Sequence, residues 1–189
     1  MLHDSPILIS YFNTATVKAT YELKNAILKM FREHNVHSRE IIILCVGSDR
    51  STGDSLGPLI GYKLEKYQIR DVEIWGTLEN PVHATNLADK LREISTSKNN
   101  PFILAIDASL GSRDHIGFVT LCNGPLKPGL GVNKELPKVG DVHITGIVNF
   151  SGMMEGLLLQ TTRLSMVMQL ADTISKALLY ALVEYTDLK

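Results

Sequence analysis

The stretch that decides the reading is Ile41-Ile-Ile-Leu-Cys-Val-Gly-Ser-Asp-Arg-Ser-Thr-Gly-Asp-Ser-Leu-Gly-Pro58. It opens on a continuously apolar run, Ile41 to Val46, with no alternation of polar and apolar positions. Such a run fits a strand covered on both faces, as in a parallel sheet. A loop of small and acidic residues follows, and Gly57-Pro58 then leads a helix reaching about Lys66. Asp54 or Gly57 can cap that helix, and Pro58 suits a first turn, where an amide has no helical partner. Strand, acidic loop and helix together predict the first unit of an α/β fold.

Working outward, Val72 to Leu78 alternates and predicts a second strand. Glu79-Asn-Pro reads as a turn, His83 to Ile94 as a helix with Leu87 and Leu91 on one face, and Ser95 to Pro101 as a polar loop. Phe102-Ile-Leu-Ala-Ile-Asp107 is a third buried strand ending on an acid. His115 to Leu121 follows too closely for a helical crossover, so it is expected to pair antiparallel, as a hairpin or near the sheet edge. Asn123 to Gly140 is rich in Gly, Pro and Lys and reads as a long loop with short helical turns near its end. Val142 to Val148 is the last strand. A helical C-terminus follows, broken near Thr161-Thr162; Arg163, Gln169, Asp172 and Lys176 interrupt its apolar character, which suits a packed helix rather than a membrane span. Upstream, Thr16 to His34 has helical periodicity, and Pro6 to Phe12 is a short segment able to cover an edge. Alternating strands and helices imply a mostly parallel central sheet with helices on both faces. One domain over residues 1–189 is expected, with its compact core over 16–185.

Nineteen basic and twenty acidic residues give a net charge of −1, and 44% of residues are hydrophobic. That balance gives no electrostatic reason to expect nucleic acid or a membrane surface as partner. Two isolated cysteines, Cys45 and Cys122, suit a reducing compartment, and the N-terminus lacks the pattern of a signal peptide. A cytoplasmic protein is expected, and the composition leaves a homo-oligomer open.

Ligands of open parallel sheets bind beyond the carboxyl ends of the strands. Asp54 follows the first buried strand and Asp107 ends the third, so the two are expected to meet in one cleft. Two neighbouring carboxylates do not both ionise readily: one keeps a proton and serves as an acid, the other acts as a base towards water. That suits hydrolysis of a peptide bond without a nucleophilic side chain and without a cofactor. The same oxygens can instead hold a divalent cation, with His143 as a third group. The plain structural readings are a helix cap for Asp54, a strand-end residue for Asp107, a surface ion pair for Asp49 and Arg50, and a core histidine for His143. His83 and His115 have weaker claims, each fitting a loop or helix start.

Other motifs fail on chemistry. The loop lacks the Gly-Lys-Ser/Thr ending of a phosphate loop, and no Gly-x-Gly-x-x-Gly follows the first strand. Gly53-Asp-Ser-Leu56 matches the opening of the Gly-Asp-Ser-Leu esterases, but no histidine follows His143 to serve as a base for Ser55. Cys45 reads as a small buried hydrophobe.

Four stretches together carry a family resemblance: Val46 to Pro58, Ala105-Ile-Asp-Ala-Ser-Leu-Gly111, Pro128-Gly-Leu-Gly-Val-Asn-Lys-Glu-Leu-Pro137, and Gly152 to Leu164. On these the chain resembles the sporulation protein YyaC family over residues 20 to 185. That family is similar to the germination protease, which degrades small acid-soluble spore proteins. The protease has an aspartate before Leu-Gly-Pro at the place of Asp54, a second in a strand-ending Asp-Ala at the place of Asp107, and a loop like Pro128 to Val132. Hydrogenase maturation proteases are more distantly similar, and His143 would stand for their nickel-binding histidine. The resemblance implies a three-layer α/β/α sandwich of phosphorylase/hydrolase-like type and a peptidase site built on Asp54 and Asp107. It further implies that Arg50, Asp49, Gly129 and Gly131 help place a protein or peptide substrate, in a spore or sporulating cell. The alternatives are an inactive binding or regulatory protein that keeps the fold, and a metal-dependent maturation-type protease.

Overall fold

The computed structural model describes residues 9–129 and 136–186. In chain order the elements are β1 (Ile9–Asn13), α1 (Ala19–Glu33), β2 (Ile41–Cys45), α2 (Leu56–Glu65), β3 (Val72–Trp75), α3 (Leu87–Ser97), β4 (Phe102–Gly111), β5 (Phe118–Asn123), β6 (Val142–Phe150), α4 (Glu155–Gln160) and α5 (Leu164–Thr186). The strands form a six-stranded sheet in the order β1-β5-β6-β4-β2-β3. From β6 through β4 and β2 to β3 it is parallel; β5 pairs antiparallel with β6, and β1 with β5. The chain is therefore an α/β protein with a mostly parallel sheet.

All five residues of β2 are buried, as a strand covered on both faces requires. Its side chains divide by parity. Ile41, Ile43 and Cys45 join α1, α2 and α5 in the main core, with Phe102, Leu104 and Ile106 of β4. Ile42 and Leu44 face the other way, into a smaller core with Ala105 and with Leu87 and Ile94 of α3. On the larger side, α1 buries Leu23, Ile27, Met30 and Phe31 at helical spacing. Phe31 meets Phe102 edge-on at 5.7 Å between ring centroids and lies 5.0 Å from Tyr185 of α5. The opposite rim is tied by Arg39, which donates to the carbonyls of Asn100 and Pro101 and pairs with Asp141 at 3.1 Å. Asp141 in turn accepts the Ile103 amide at 2.9 Å. This clamp fixes the amino ends of β4 and β6 beside that of β2.

Some elements match the sequence expectation, among them the edge segment ahead of α1, the break near Thr161-Thr162 and the packed C-terminal helix, and others differ from it. β4 runs on to Gly111 because β6 extends to Phe150 and supplies it with a partner through a bulge at Ser109/Leu110. β5 pairs antiparallel near the sheet edge, as one expectation had it, and forms no hairpin with β4, because β6 inserts between them. β5 also starts later than expected, since Arg113–His115 form a 3-10 turn. The segment ahead of α1 is the edge strand β1. α3 begins at Leu87 rather than His83 and continues through the polar Ser95-Thr96-Ser97, whose hydroxyls bond back to carbonyls of their own helix. The helical C-terminus is interrupted after Gln160, where the Thr161 and Thr162 hydroxyls each donate at 2.8 Å to carbonyls four residues back. By length and composition α5 could cross a membrane, yet Leu170, Ala171, Ile174, Leu178 and Leu182 are all fully buried in the main core. Within the Asn123–Gly140 connection, Leu126 and Val139 form an antiparallel bridge. Gly131 and the rest of 130–135 lie outside the described residues.

Candidate active site

β2 ends at Cys45, opposite Ile106 of β4. The Val46 amide still donates to the Ile106 carbonyl at 2.7 Å, and the chain then turns aside, the Gly47 amide passing to the Val82 carbonyl at 2.8 Å. β4 continues past this point, so Asp107 is its first residue with no β2 neighbour. The chain leaves β2 towards β3 on one side and leaves β4 towards β5 and β6 on the other. That makes the gap between β2 and β4 a topological switch point, the place where open α/β sheets bind ligands.

The loop after β2 brings Asp54 back to the same gap. The Ser48 amide donates to the Asp54 carbonyl at 3.1 Å. Gly47 is essential to this turn: its φ is +138°, and a Cβ there would lie 2.1 Å from the Asp54 carbonyl oxygen. The loop is also tied to α4, since the Gly53 amide donates to the Leu159 carbonyl at 2.8 Å. Ser55 donates its hydroxyl to the Thr52 carbonyl at 2.6 Å, so its oxygen is engaged locally, in keeping with the rejection of an esterase nucleophile. Burial pushes the Cys45 thiol far above its ordinary value, in line with an inert core residue.

Asp54 and Asp107 line one pocket of about 170 Å³. Val46, Ala84, Leu136 and Leu159 give it apolar walls, while Ser51 and His83 add polar groups. Asp107 is 7% exposed and accepts the Ala108 amide at 2.7 Å. Its carboxyl is held well above the ordinary range, first by burial and then by the negative charge of Asp54. The Asp54 carboxyl is also raised by burial, opposed by a bond from the Ser48 amide and by the nearby His83. Both shifts favour the protonated form of the carboxyl concerned.

The remaining expected site residues are placed unequally. Gly129 lines the pocket beside Pro128. Arg50 and Asp49 are exposed and contribute nothing to the pocket wall; the Arg50 amide donates to the Ser48 hydroxyl at 3.2 Å. His143 is also off the wall, its Nδ1 bonded to the Gly124 carbonyl at 2.8 Å. The histidine at the acids is His83, whose claim from sequence is weaker because the position also fits a helix start. Among the described residues, no three His, Cys, Asp or Glu side chains are grouped to hold a metal ion. Ser51 is a pocket residue that the sequence reading leaves out. Its hydroxyl is buried and has no hydrogen-bond partner among the described residues.

Comparison with known proteins gives a concordant family. The family model described as Protein of unknown function (DUF1256) matches residues 11–177. A Bacillus subtilis (strain 168) protein named Uncharacterized protein YyaC is 51% identical over 140 residues, which cover 74% of this chain and 68% of that protein.

Proposed function

The chain belongs to the YyaC family (DUF1256), and for this member we propose hydrolysis of peptide bonds by Asp54 and Asp107. The observation that carries the reading is the placement of two carboxyls, both shifted towards the protonated form, on one pocket wall at a sheet switch point. Asp107, the more deeply buried, keeps the proton. Asp54, less buried and bonded by the Ser48 amide, carries the charge. The Asp54 carboxylate removes a proton from water as the water oxygen bonds to the scissile carbonyl carbon. Asp107 gives its proton to the carbonyl oxygen. Collapse of the adduct breaks the C–N bond, the departing nitrogen takes the proton from Asp54, and Asp107 recovers its own from the hydroxyl. One water is consumed, and a carboxyl and an amine are released.

The wider reading is a three-layer α/β/α hydrolase of the germination-protease kind, acting in the cytoplasm of a spore or sporulating cell on protein substrates such as small acid-soluble spore proteins. Incubation of those purified proteins with the wild type, Asp54→Asn and Asp107→Asn tests it. General acid–base groups contribute about 10²–10⁴-fold, so each variant is expected to cleave at least about 100-fold more slowly. Equal rates in all three would remove the two-aspartate mechanism. Binding of the spore proteins without any turnover by the wild type would make the chain a binding protein.

A further inference from the structure

Burial already sets Asp107 apart from Asp54, and a positive charge beside Asp54 would widen the difference. His83 is on the same wall and has no part in the mechanism so far. Its position is fixed through the backbone: Val82 bridges to Val46 in parallel register and accepts the Gly47 amide, so the next residue arrives at the acid loop. The His83 amide donates to Asn86 Oδ1 at 2.8 Å, and Asn86 Nδ2 donates to the Pro81 carbonyl at 3.0 Å. The Thr85 hydroxyl holds His83 Nδ1 at 2.9 Å. No partner for Nε2 is found among the described residues, unlike the case of a core histidine bonded through both nitrogens.

Among the described residues no lysine or arginine lines the pocket, so His83 is the wall residue able to carry a positive charge. The charged groups on surrounding elements all lie off the wall. Asp49 and Arg50 are exposed in the loop after β2, and Glu79 is exposed ahead of His83. Asp89 is exposed and Lys90 pairs with Glu93 on α3, Lys127 and Lys138 are exposed on the β5–β6 connection, and Glu155 begins α4 away from the wall. We propose that His83, fixed by Thr85 and Asn86, is a positioning residue that adds to the difference in burial and further favours Asp54 over Asp107 as the ionised base. The proposal rests on the two-aspartate reading and deepens it. An imidazolium beside Asp54 stabilises that carboxylate and leaves the shared proton on Asp107.

The test is a carbon-detected NMR titration of the aspartate side-chain carboxyls in the full chain, assigned with Asp54→Asn and Asp107→Asn. In His83→Gln the Asp54 midpoint is expected to rise by about one pH unit, the low end of what an adjacent opposite charge does to a carboxylate. Thr85→Val, at an exposed position, should raise it less. His83→Arg restores the charge and should return the midpoint to the wild-type side. An unmoved midpoint in His83→Gln, or a raised one in His83→Arg, overturns the proposal. Should His83→Gln fail to fold, an unmoved midpoint in Thr85→Val overturns it alone. Cleavage of spore proteins is followed in parallel. A moved midpoint without cleavage leaves the charge assignment standing and removes the hydrolase reading; cleavage with an unmoved midpoint does the reverse.

Discussion

Replacing Asp107 by Asn should stabilise the protein, and by an amount that grows with pH. Asp107 is buried, and its carboxyl is held well above the ordinary range by burial and by Asp54. A carboxyl raised in the folded state binds its proton more tightly folded than unfolded. Its contribution to stability is complete below the unfolded value of about 3.9 and is lost as pH climbs towards the folded value. Through that window the wild type loses about 1.4 kcal/mol per pH unit from this group. The asparagine side chain of the variant does not titrate, and its Oδ1 can still accept the Ala108 amide. Any fixed penalty of burying the side-chain amide is the same at every pH, so the slope carries the test and the offset does not. A kilocalorie moves Tm by roughly 2–4 °C in a chain of this size. The difference in Tm between variant and wild type should therefore widen by roughly 3–6 °C per pH unit above about pH 4. It should level off where the native carboxyl finally ionises. Thermal melts from pH 4 to 9 measure this directly. In an Asp54→Asn background the levelling should come at lower pH, because one of the two causes of the raised value is gone. A difference independent of pH would show that Asp107 titrates as an ordinary carboxyl, and the proton-sharing argument would collapse.

Three further outcomes are expected. Ser51→Ala should leave the melting temperature unchanged or slightly raised, because the lost hydroxyl has no internal bond to give up; a drop of more than about 1 kcal/mol would mean that it is partnered in solution. Gly47→Ala should cost at least about 2 kcal/mol and abolish cleavage, since it combines a positive φ with a Cβ at 2.1 Å from the Asp54 carbonyl; an unchanged denaturation midpoint would refute the tight turn. Arg39→Ala should cost about 1–3 kcal/mol in urea unfolding, by leaving the partly buried Asp141 unpaired and breaking the bonds to two carbonyls; no loss would show the clamp to be a surface ornament.

The parallel part of the sheet was legible because its strands speak locally. Ile41 to Val46 is apolar at every position, as a strand buried on both faces allows, and the small and acidic loop after it sets its length. The amphipathic repeat of α1 was likewise plain. What could not be seen were the pairings that depend on distant chain. Ala108 to Gly111 has small residues and no strand pattern, and it is extended only because β6 runs alongside. Ser95 to Ser97 reads as loop chemistry, since nothing in the composition says that those hydroxyls will bond to their own helix. The pocket-facing positions of Asp54 and Asp107 followed from the rule for strand carboxyl ends. His83 did not: its place is set by a single bridge between Val82 and Val46, and residues flanking such a bridge carry no periodicity. The nearest local hint was Asn86, three positions on, whose side chain can hold the His83 amide. Ser51 carried no signal, because a serine in an Asp-Arg-Ser-Thr-Gly loop is ordinary turn chemistry.

The size of the pocket bears on what can be cut. At about 170 Å³ it is smaller than the roughly 300–1,000 Å³ of sites that engulf a whole small-molecule ligand. It has room for one side chain and the bond beside it. A peptide must present that bond in extended form, with its neighbours lying across the mouth. In a folded protein most backbone amides and carbonyls are already committed to their own helices and sheets and cannot be drawn out this way. If the two aspartates hydrolyse peptides as proposed, a site of this shape selects by conformation before it selects by sequence: it would cleave chains while they are unfolded and pass over the same sequence once it is packed or held by a partner.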